Sequence, residues 1–506
     1  MKRRILMVTS ELFPLAKAGG LADAVADLST ALAGRGHDVR VVLPRYYFID
    51  RADLHRLPVD IHLDPEGVIP VYETHIDGPG PAVTVHLLDS EAAYGRDGIY
   101  TTADGEPFAD NVKRFSLLSR AALELCRALG WKPDVFHGHD WPTGLIPAYL
   151  REPPYRDWFT DSATVFTIHN LGYQGIFPFS EVSHLGLSPE TVLKSGLMAG
   201  RHISFLRSAL ASATALTTVS PTYAKEIDQP EYDPGLEPVL RQRTRPVRGI
   251  LNGIDYDTWN PATDPLIPLN YDENDLRPKA LLRRVLRWYV GLPQDDEVPL
   301  IGMITRMVEQ KGFAELLAQQ DPALVRLLTR RRLQLVILGS GPAAREHVLR
   351  ELAGGFSNLA VITGFDNRLA HLIEAGSDFF LMPSRYEPCG LNQMYSLRYG
   401  TVPIVTRTGG LADTVVDVRE DEKRGTGYLI PRSSPREIFD TVSAALDDFE
   451  TAPERIAALR RRGMKERFTW ESAAAEYEEV YRDALEASVG ETSQSERSDT
   501  EVSASD

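Results

Sequence analysis

The sequence predicts an α/β protein made of two doubly wound, Rossmann-like domains. Short apolar runs alternate with amphipathic helical patterns from end to end. The runs are apolar on both faces, as the central strands of parallel sheets are. A length of 506 residues suits two or three domains, each large enough to bury its own core.

The predicted strands form two sets, one in each half of the chain. The first half has runs at 5–8, 39–43, 83–88, 135–136, 164–168 and 216–219, and the second at 300–304, 333–338, 360–362, 379–382 and 402–405. Helices must lie between them, because a parallel crossover takes about a dozen residues. The first is clear: apolar residues recur at helical spacing from Leu21 to Leu32, and Gly34 and Gly36 end it.

The two sets of strands meet at a linker near residues 250–265. Asn252-Gly253 is a turn signal, and Asn260-Pro261 with the prolines that follow reads as a connection. We therefore predict domains at 1–255 and 256–465, followed by a helix at 466–487. Residues 488–506 carry Ser, Thr, Glu and Asp with few apolar residues, which predicts a disordered acidic tail.

Composition excludes several classes of protein. The chain has 55 Lys and Arg against 71 Asp and Glu, a net charge of −16, which disfavours a nucleic-acid partner. Two distant cysteines, Cys126 and Cys389, form no disulfide framework, as expected in the reducing cytoplasm. The apolar run at 5–8 is too short for an export signal, and no segment predicts a membrane span.

One short motif occurs in both halves. Gly19-Gly20-Leu21-Ala22-Asp23 returns as residues 409–413, and each copy follows a predicted strand and opens a helix. Glycine lets a ligand approach the backbone, and a helix N-terminus attracts anions. Two ordinary tight turns are the alternative. Repetition in both halves favours a pair of ligand-binding loops.

Charged and aromatic residues follow several predicted strands. Lys17 precedes the first glycine pair, and Arg306 with Lys311 follows the strand at 300–304, where two cations could neutralise a diphosphate. His137, His139 and Asp140 could be metal ligands, but without a further nearby ligand we favour a carbohydrate pocket that includes Trp141. His169, Asn170 and Glu387 also stand just beyond strands.

Taken together, these segments resemble the bacterial glycogen synthases and plant starch synthases, glycosyltransferase family 5. The resemblance covers roughly residues 1–485. Eight motifs occur in the family order, at residues 17–23, 137–141, 167–170, 219–224, 251–255, 306–312, 387–391 and 408–415.

The resemblance implies the GT-B fold, two Rossmann-like domains facing a cleft, and a retaining hexosyltransferase. The reaction it implies transfers glucose from ADP-glucose to the non-reducing end of an α-1,4-glucan such as glycogen, with no metal and no cofactor. Its residue roles carry over by motif. The catalytic group is His169, Glu387, Arg306, Lys311 and Asp140. The substrate-binding group is Lys17, Gly20, Asp23, Tyr100, Trp141, Asn252, Phe365, Cys389, Gly390, Leu391, Thr408, Gly409 and Gly410.

Within these groups the resemblance assigns different tasks. Lys17, Arg306 and Lys311 hold the donor diphosphate, Phe365 stacks on adenine, and Tyr100 contacts the donor. Asp140, Trp141, His169 and Asn252 line the glucosyl and acceptor side. Gly20 and Asp23 shape the first loop, and the backbone at 389–391 holds glucose hydroxyls.

Some positions depart from the family pattern. Pro142 stands where many bacterial members have His, Asn392 where many have Thr, and Arg207 where Lys is common. Tyr395 stands where other retaining GT-B enzymes carry a second Glu, which favours this family over them.

Three other functions are alternatives. A GT-B enzyme that uses UDP-glucose or another nucleotide sugar is the nearest alternative. An inactive glucan-binding protein would have lost Lys17, Arg306, Lys311 or Glu387, and all four are present. A nicotinamide enzyme would need a Gly-x-Gly-x-x-Gly motif, which residues 11–20 lack.

The end of the chain predicts one further helix. An apolar stripe from Trp470 to Ala484 recurs at helical spacing. The resemblance implies that this helix crosses back to pack on the first domain. A helix that caps its own domain is the alternative.

Overall fold

A computed structural model of the chain describes residues 2–229 and 235–503, with side chains described as far as residue 488. The chain divides into two compact units. The first unit comprises Met1–Val219, Ala224–Gly253 and Trp470–Asp506, and the second comprises Ser220–Tyr223 and Ile254–Thr469.

The first unit is built on a nine-stranded sheet of order β12-β11-β7-β6-β1-β2-β5-β4-β3. Pairing is parallel from β12 to β5, and β4 and β3 add an antiparallel edge. A small antiparallel sheet, β8-β10-β9, lies apart from it. The strands are β1 Arg4–Val8, β2 Asp38–Pro44, β3 His55–Leu63, β4 Gly67–Ile76, β5 Val83–Leu88, β6 Val135–His139, β7 Ala163–Ile168, β8 Ile176–Pro178, β9 Met198–Ala199, β10 His202–Ser204, β11 Ala215–Thr218 and β12 Arg248–Gly249.

Two features of this sheet differ from the sequence prediction. The antiparallel edge was not predicted, because β3 exposes most of its side chains and contains no apolar run. Strand β6 continues past residue 136 to His139, because β1 and β7 pair with it on both sides. His137 and His139 therefore lie within a buried strand, and not beyond its end.

Helices cover the first sheet. The predicted first helix is confirmed: α1 buries Leu21, Val25, Leu28 and Leu32, and the chain turns at Gly36 with φ +94°. The helices are α1 Gly20–Gly34, α2 Glu91–Tyr94, α3 Asn111–Ala128, α4 Ile146–Tyr149, α5 Tyr155–Trp158, α6 Pro189–Lys194, α7 Phe205–Ser212, α8 Pro221–Glu226 and α9 Glu237–Arg241. The boundary between the units divides α8 after Tyr223.

The second unit holds a parallel six-stranded sheet of order β15-β14-β13-β16-β17-β18. Its strands are β13 Leu300–Ile304, β14 Gln334–Gly339, β15 Leu359–Thr363, β16 Phe379–Met382, β17 Val402–Thr406 and β18 Tyr428–Ile430. Its helices are α10 Arg277–Val290, α11 Phe313–Leu316, α12 Ala323–Arg330, α13 Ala343–Gly355, α14 Asn367–Gly376, α15 Asn392–Arg398, α16 Gly409–Thr414, α17 Pro435–Thr451 and α18 Pro453–Gly463.

The last helix, α19, spans Trp470–Ser503 and belongs to the first unit. Trp470, Tyr477, Val480 and Tyr481 are buried in the same hydrophobic core as β1, β6 and α1. A carboxylate on its surface, Glu478, pairs with Arg35 at 2.7 Å. The stripe that predicted the helix is therefore the face that packs on the first sheet.

The bounds of α19 differ from the prediction at both ends. The helix begins at Trp470 and not at residue 466, and its backbone stays helical to Ser503 where a disordered tail was predicted from residue 488. No proline interrupts residues 488–503, so every residue there keeps the backbone N–H that a helix needs. Residues 504–506 of the predicted tail lie outside the described residues. None of the described helices is long and apolar enough to cross a membrane.

Candidate active site

The parallel part of each sheet reverses its strand order at one point, and the candidate residues follow those points. In the first unit the order reverses between β1 and β6, and in the second between β13 and β16. Open α/β sheets bind ligands beyond the carboxyl ends of the strands at such a point. Lys17 and Asp140 follow β1 and β6, and Lys311 and Glu387 follow β13 and β16.

In the first unit, Glu11 holds the glycine loop. One carboxylate oxygen accepts hydrogen bonds from the backbone N–H groups of Ala18 (2.6 Å) and Gly19 (2.8 Å), and the other accepts one from the Tyr100 hydroxyl at 2.7 Å. A Cβ at Gly19 would meet no atom within 4 Å, so the loop faces open space. The sequence analysis missed Glu11. The sequence feature that could have identified Glu11 is its position as a carboxylate just past the end of the first strand.

The loop brings two predicted donor contacts to one cavity. Lys17 and Tyr100 both line a cavity of about 410 Å³. The Lys17 ammonium pairs with Asp23 at 2.8 Å, and Gly20 begins α1 just beyond it. Asp23 therefore orients the lysine as well as standing in the first turn of the helix.

Asp140 occupies a strained position. Its φ is +55°, and it is the one non-glycine residue with positive φ in the described part of the chain. Its carboxylate accepts hydrogen bonds from the backbone N–H groups of His169 (2.7 Å) and Asn170 (3.3 Å), and burial raises its pKa to about 7. In this structure Asp140 fixes the loop after β7, which is a positioning task.

Two buried histidines, His137 and His139, form a network with the half-buried His169 behind that loop. His137 bonds the Tyr481 hydroxyl at 2.9 Å and the Thr167 hydroxyl at 2.7 Å, while His139 Nδ1 lies 3.1 Å from His169 Nε2. Burial lowers the pKa of His137 and of His169 to about 3 and holds that of His139 well below its usual range, so all three rings are neutral at pH 7.

This network corrects the predicted carbohydrate pocket. His139 is fully enclosed and cannot line a pocket. Trp141 is half-buried, with its ring 4.8 Å from that of Phe115, and a Cβ at Gly175 would lie 2.3 Å from the indole. The indole therefore has one face packed against protein and supports the wall of the site. Asn252 is likewise buried, at 7% exposure.

In the second unit, Lys311 and Glu387, both predicted to be catalytic, form an ion pair. Lys311 Nζ lies 2.5 Å from a Glu387 carboxylate oxygen, which also accepts a hydrogen bond from Ser384 at 3.0 Å. The side chains are 16% and 7% exposed. Arg306, also beyond β13, is exposed. The Glu387 carboxylate is therefore paired with a cation, and the Lys311 ammonium keeps two further N–H donors.

The second glycine pair, Gly409-Gly410, packs against backbone, unlike the first pair. A Cβ at Gly409 would lie 1.9 Å from the Glu387 carbonyl oxygen, and one at Gly410 would lie 2.1 Å from that of Cys389. The Gly410 N–H donates to the Glu387 carbonyl at 3.1 Å. These glycines, with buried Thr408 before them, press the start of α16 against the turn that carries Glu387. They do not form an open loop like that at Gly19.

The segment after Glu387 is a tight turn. Gly390 has φ +72°, and the Gln393 side-chain amide donates to the carbonyls of Cys389 and Gly390, at 3.1 Å each. Cys389 is buried and is not part of a disulfide, and Leu391 is half-buried just before α15. The side-chain amide therefore holds the backbone that was predicted to bind glucose hydroxyls.

Phe365 is 84% exposed beyond β15. Gly364 before it has φ +110°, so the loop turns in a conformation that favours glycine. Such an exposed ring is available to stack on a planar ligand, which suits the predicted adenine contact. Among the described residues, no three His, Cys, Asp or Glu side chains gather as metal ligands do.

Comparison with known proteins decides the family. The family model for the starch synthase catalytic domain matches residues 4–242, and that for glycosyl transferases group 1 matches residues 298–448. A glycogen synthase of Treponema denticola is 47% identical over 96% of this chain and 99% of its own. The chain belongs to the glycogen and starch synthase family. It is a glycosyltransferase of the glycogen synthase type.

Further relatives agree with this assignment. Glycogen synthase 1 of Methylococcus capsulatus is 44% identical over 95% of this chain and 97% of its own. The catalytic domain of starch synthase IV from Arabidopsis thaliana, solved with ADP and acarbose, has a TM-score of 0.84, 31% identity, and covers 96% of this chain and all of that one. Sucrose-phosphate synthase from Thermosynechococcus elongatus, at a TM-score of 0.60, 17% identity and the same coverage, shares the GT-B fold.

The placement of Asp140 leads to a prediction about pH. Ionisation with a pKa of about 7 strengthens its hydrogen bonds to the loop at His169, so kcat should rise from pH 6 to pH 8. Asp140→Asn keeps an acceptor oxygen but cannot ionise. We expect this variant to show kcat about tenfold lower at pH 8 and a flattened profile. A variant that keeps the same rise between pH 6 and pH 8 would contradict this assignment.

Proposed function

We propose that the chain transfers glucose from ADP-glucose to the non-reducing end of an α-1,4-glucan, with retention of configuration. The observation that carries this proposal is the Lys311–Glu387 pair beyond β13 and β16, at the point where the strand order reverses. Membership of the glycogen and starch synthase family supplies the class of donor and acceptor. The arrangement of charges suits the departure of a diphosphate.

The proposed chemistry assigns a task to each charged group. Breaking the bond between glucose and phosphate builds negative charge on the departing diphosphate, which Lys311 and Arg306 neutralise. Glu387 holds the Lys311 ammonium in place, and the two remaining N–H donors are available to phosphate oxygens. Lys17 adds a third cation from the loop that Glu11 holds.

Retention is proposed to proceed by front-face attack. The acceptor hydroxyl approaches the side that the phosphate leaves, and the departing phosphate takes the proton of that hydroxyl. Burial lowers the pKa of the His169 ring and so disfavours its protonated form at pH 7, and its main chain is the part proposed to help. The Asp140 carboxylate, by holding the His169 N–H, positions that backbone.

Radiolabelled transfer tests the proposal directly. We expect label from ADP-[¹⁴C]glucose to enter glycogen with the wild-type chain. A matched reaction with UDP-glucose tests the alternative donor. Incorporation from UDP-glucose alone would overturn the choice of donor, and no incorporation from either would overturn the function.

Phe365 gives a second measurement of donor choice. Base stacking on an aromatic ring contributes about 1–3 kcal/mol, so Phe365→Ala should raise the Kd for ADP by about tenfold or more. Phe365→Trp keeps a ring and should retain the affinity. Calorimetric titration with ADP checks both variants. An unchanged Kd in Phe365→Ala would remove the ring from the adenine site.

We also propose a cytoplasmic location. Its support is the pair of buried, unbridged cysteines, Cys126 and Cys389, which suits a reducing compartment. Cell fractionation with an antibody to the chain tests it. Recovery of the chain outside the cytoplasmic fraction would contradict it.

A further inference from the structure

Two aromatic side chains stand exposed on the loop after β2. Tyr47 is 61% exposed and Phe48 is 49% exposed. We call them the aromatic pair. Neither ring has a role in the proposed glucosyl transfer, although the same loop borders the cavity that Lys17 and Tyr100 line.

The loop that carries the aromatic pair is held rigidly. Tyr46 is fully buried, donates its hydroxyl to the Ser10 carbonyl at 2.8 Å, and stacks on Phe48 with ring centroids 5.5 Å apart and planes 15° apart. Arg45, buried behind the loop, donates to Asp89 at 2.7 Å and to the Ile49 carbonyl at 2.9 Å. A ring fixed in this way loses little conformational entropy when it binds a ligand.

The cavity beside Phe48 has the polar groups that a sugar needs. Phe48 lines it together with Asp97, Thr101 and Thr102, and its volume of about 410 Å³ falls in the range of small-ligand pockets. An aromatic face packs against the C–H face of a sugar ring, while hydroxyl and carboxylate groups take its hydroxyls.

The cavity carries both signs of charge, so a neutral ligand is favoured beside the diphosphate proposed at Lys17. Lys17 brings one positive charge and is paired with Asp23. Asp97 adds a negative charge to the lining. A second polyanion beside the diphosphate would therefore be repelled, whereas a neutral sugar chain meets no such penalty.

We propose that the aromatic pair and this cavity bind glucose units of the acceptor chain set back from its reacting end. This inference rests on the proposed glucosyl transfer. Because it places extra sugar units on the protein, it makes the enzyme prefer longer glucans over short ones. Phe48 supplies the inner contact, in the cavity, and Tyr47 the outer one.

Acceptor kinetics with a series of chain lengths test the inference. The variants are Phe48→Ala, the double variant Tyr47→Ala/Phe48→Ala, and Phe48→Trp as the conservative replacement. Tyr289→Ala is the matched control, because Tyr289 is also 49% exposed but lies on α10 of the second unit. Melting temperatures establish that each variant is folded.

We expect the double variant to raise the KM for glycogen and maltoheptaose about tenfold or more, to raise that for maltotriose much less, and to leave the KM for ADP-glucose near the wild-type value. Phe48→Trp should recover most of the loss, and Tyr289→Ala should match the wild type. An unchanged KM for maltoheptaose would overturn the inference. A rise in the KM for ADP-glucose in place of that for glucan would also overturn it, since the occupant would then be the nucleotide sugar.

Calorimetric titration of maltoheptaose, without donor, separates this inference from the proposed function. We expect weaker binding to the double variant than to the wild type. If the wild type transfers no glucose yet binds maltoheptaose through these residues, the proposed function fails and the glucan site stands. If it transfers glucose and the double variant binds maltoheptaose normally, the glucan site fails and the function stands.

Discussion

Lys311→Ala is expected to lower kcat by about 100-fold or more. The lost ammonium is the cation closest to Glu387 and the one proposed to meet the leaving diphosphate, so its removal takes away transition-state electrostatics. Steady-state rates with ADP-glucose and glycogen measure the effect. A variant that keeps kcat within about threefold of the wild type would show that Lys311 does not serve the leaving group.

The same substitution should also destabilise the second unit, whereas the sequence alone predicted little effect on folding. Glu387 is 7% exposed, and without Lys311 its carboxylate stays buried and unpaired, at a cost of about 3 kcal/mol in the free energy of unfolding. Denaturant unfolding measures that cost.

Two further variants separate the two effects of the lysine. Lys311→Ala/Glu387→Gln should recover most of the stability, because the amide carries no charge, while kcat stays low. Lys194→Ala removes a lysine from the exposed pair with Glu190 and should change neither quantity. A double variant less stable than Lys311→Ala would contradict the explanation through a buried charge.

Truncation at Gly463 is expected to abolish both stable folding of the first unit and glucosyl transfer. It removes α19, whose large buried side chains include Trp470, Tyr477, Val480 and Tyr481. Burial of each contributes about 1.5–3 kcal/mol, and together they approach the whole stability of an ordinary domain. It also removes the hydroxyl that bonds His137. Melting temperature and transfer assays measure the outcome.

Truncation after Ser488 is the matched control. It keeps these buried residues of α19 and should leave the melting temperature and the transfer rate at the wild-type values. Tyr481→Phe is a finer probe, because it deletes only the hydroxyl and should cost about 1–2 kcal/mol by leaving a buried His137 nitrogen without its partner. A chain truncated at Gly463 that melts and transfers normally would show that α19 is dispensable.

Much of this protein could be predicted from its sequence, because the strongest signals are local. Parallel strands such as β1 and β13 are short runs of apolar residues, and α1 and α19 are apolar stripes at helical spacing. The order of the motifs likewise predicted the family, which the relatives confirm. Each strand, helix and motif behind these predictions is a continuous segment of the sequence.

The site required the tertiary structure, because its contacts join residues far apart in the chain. Lys311 meets Glu387 across 76 positions, and Tyr481 meets His137 across 344. The two Gly-Gly motifs read alike, yet one faces open space and the other presses on the backbone of Glu387 and Cys389. Local sequence determined which segments form strands, helices and turns. Only tertiary packing decided which distant residues each of those segments contacts.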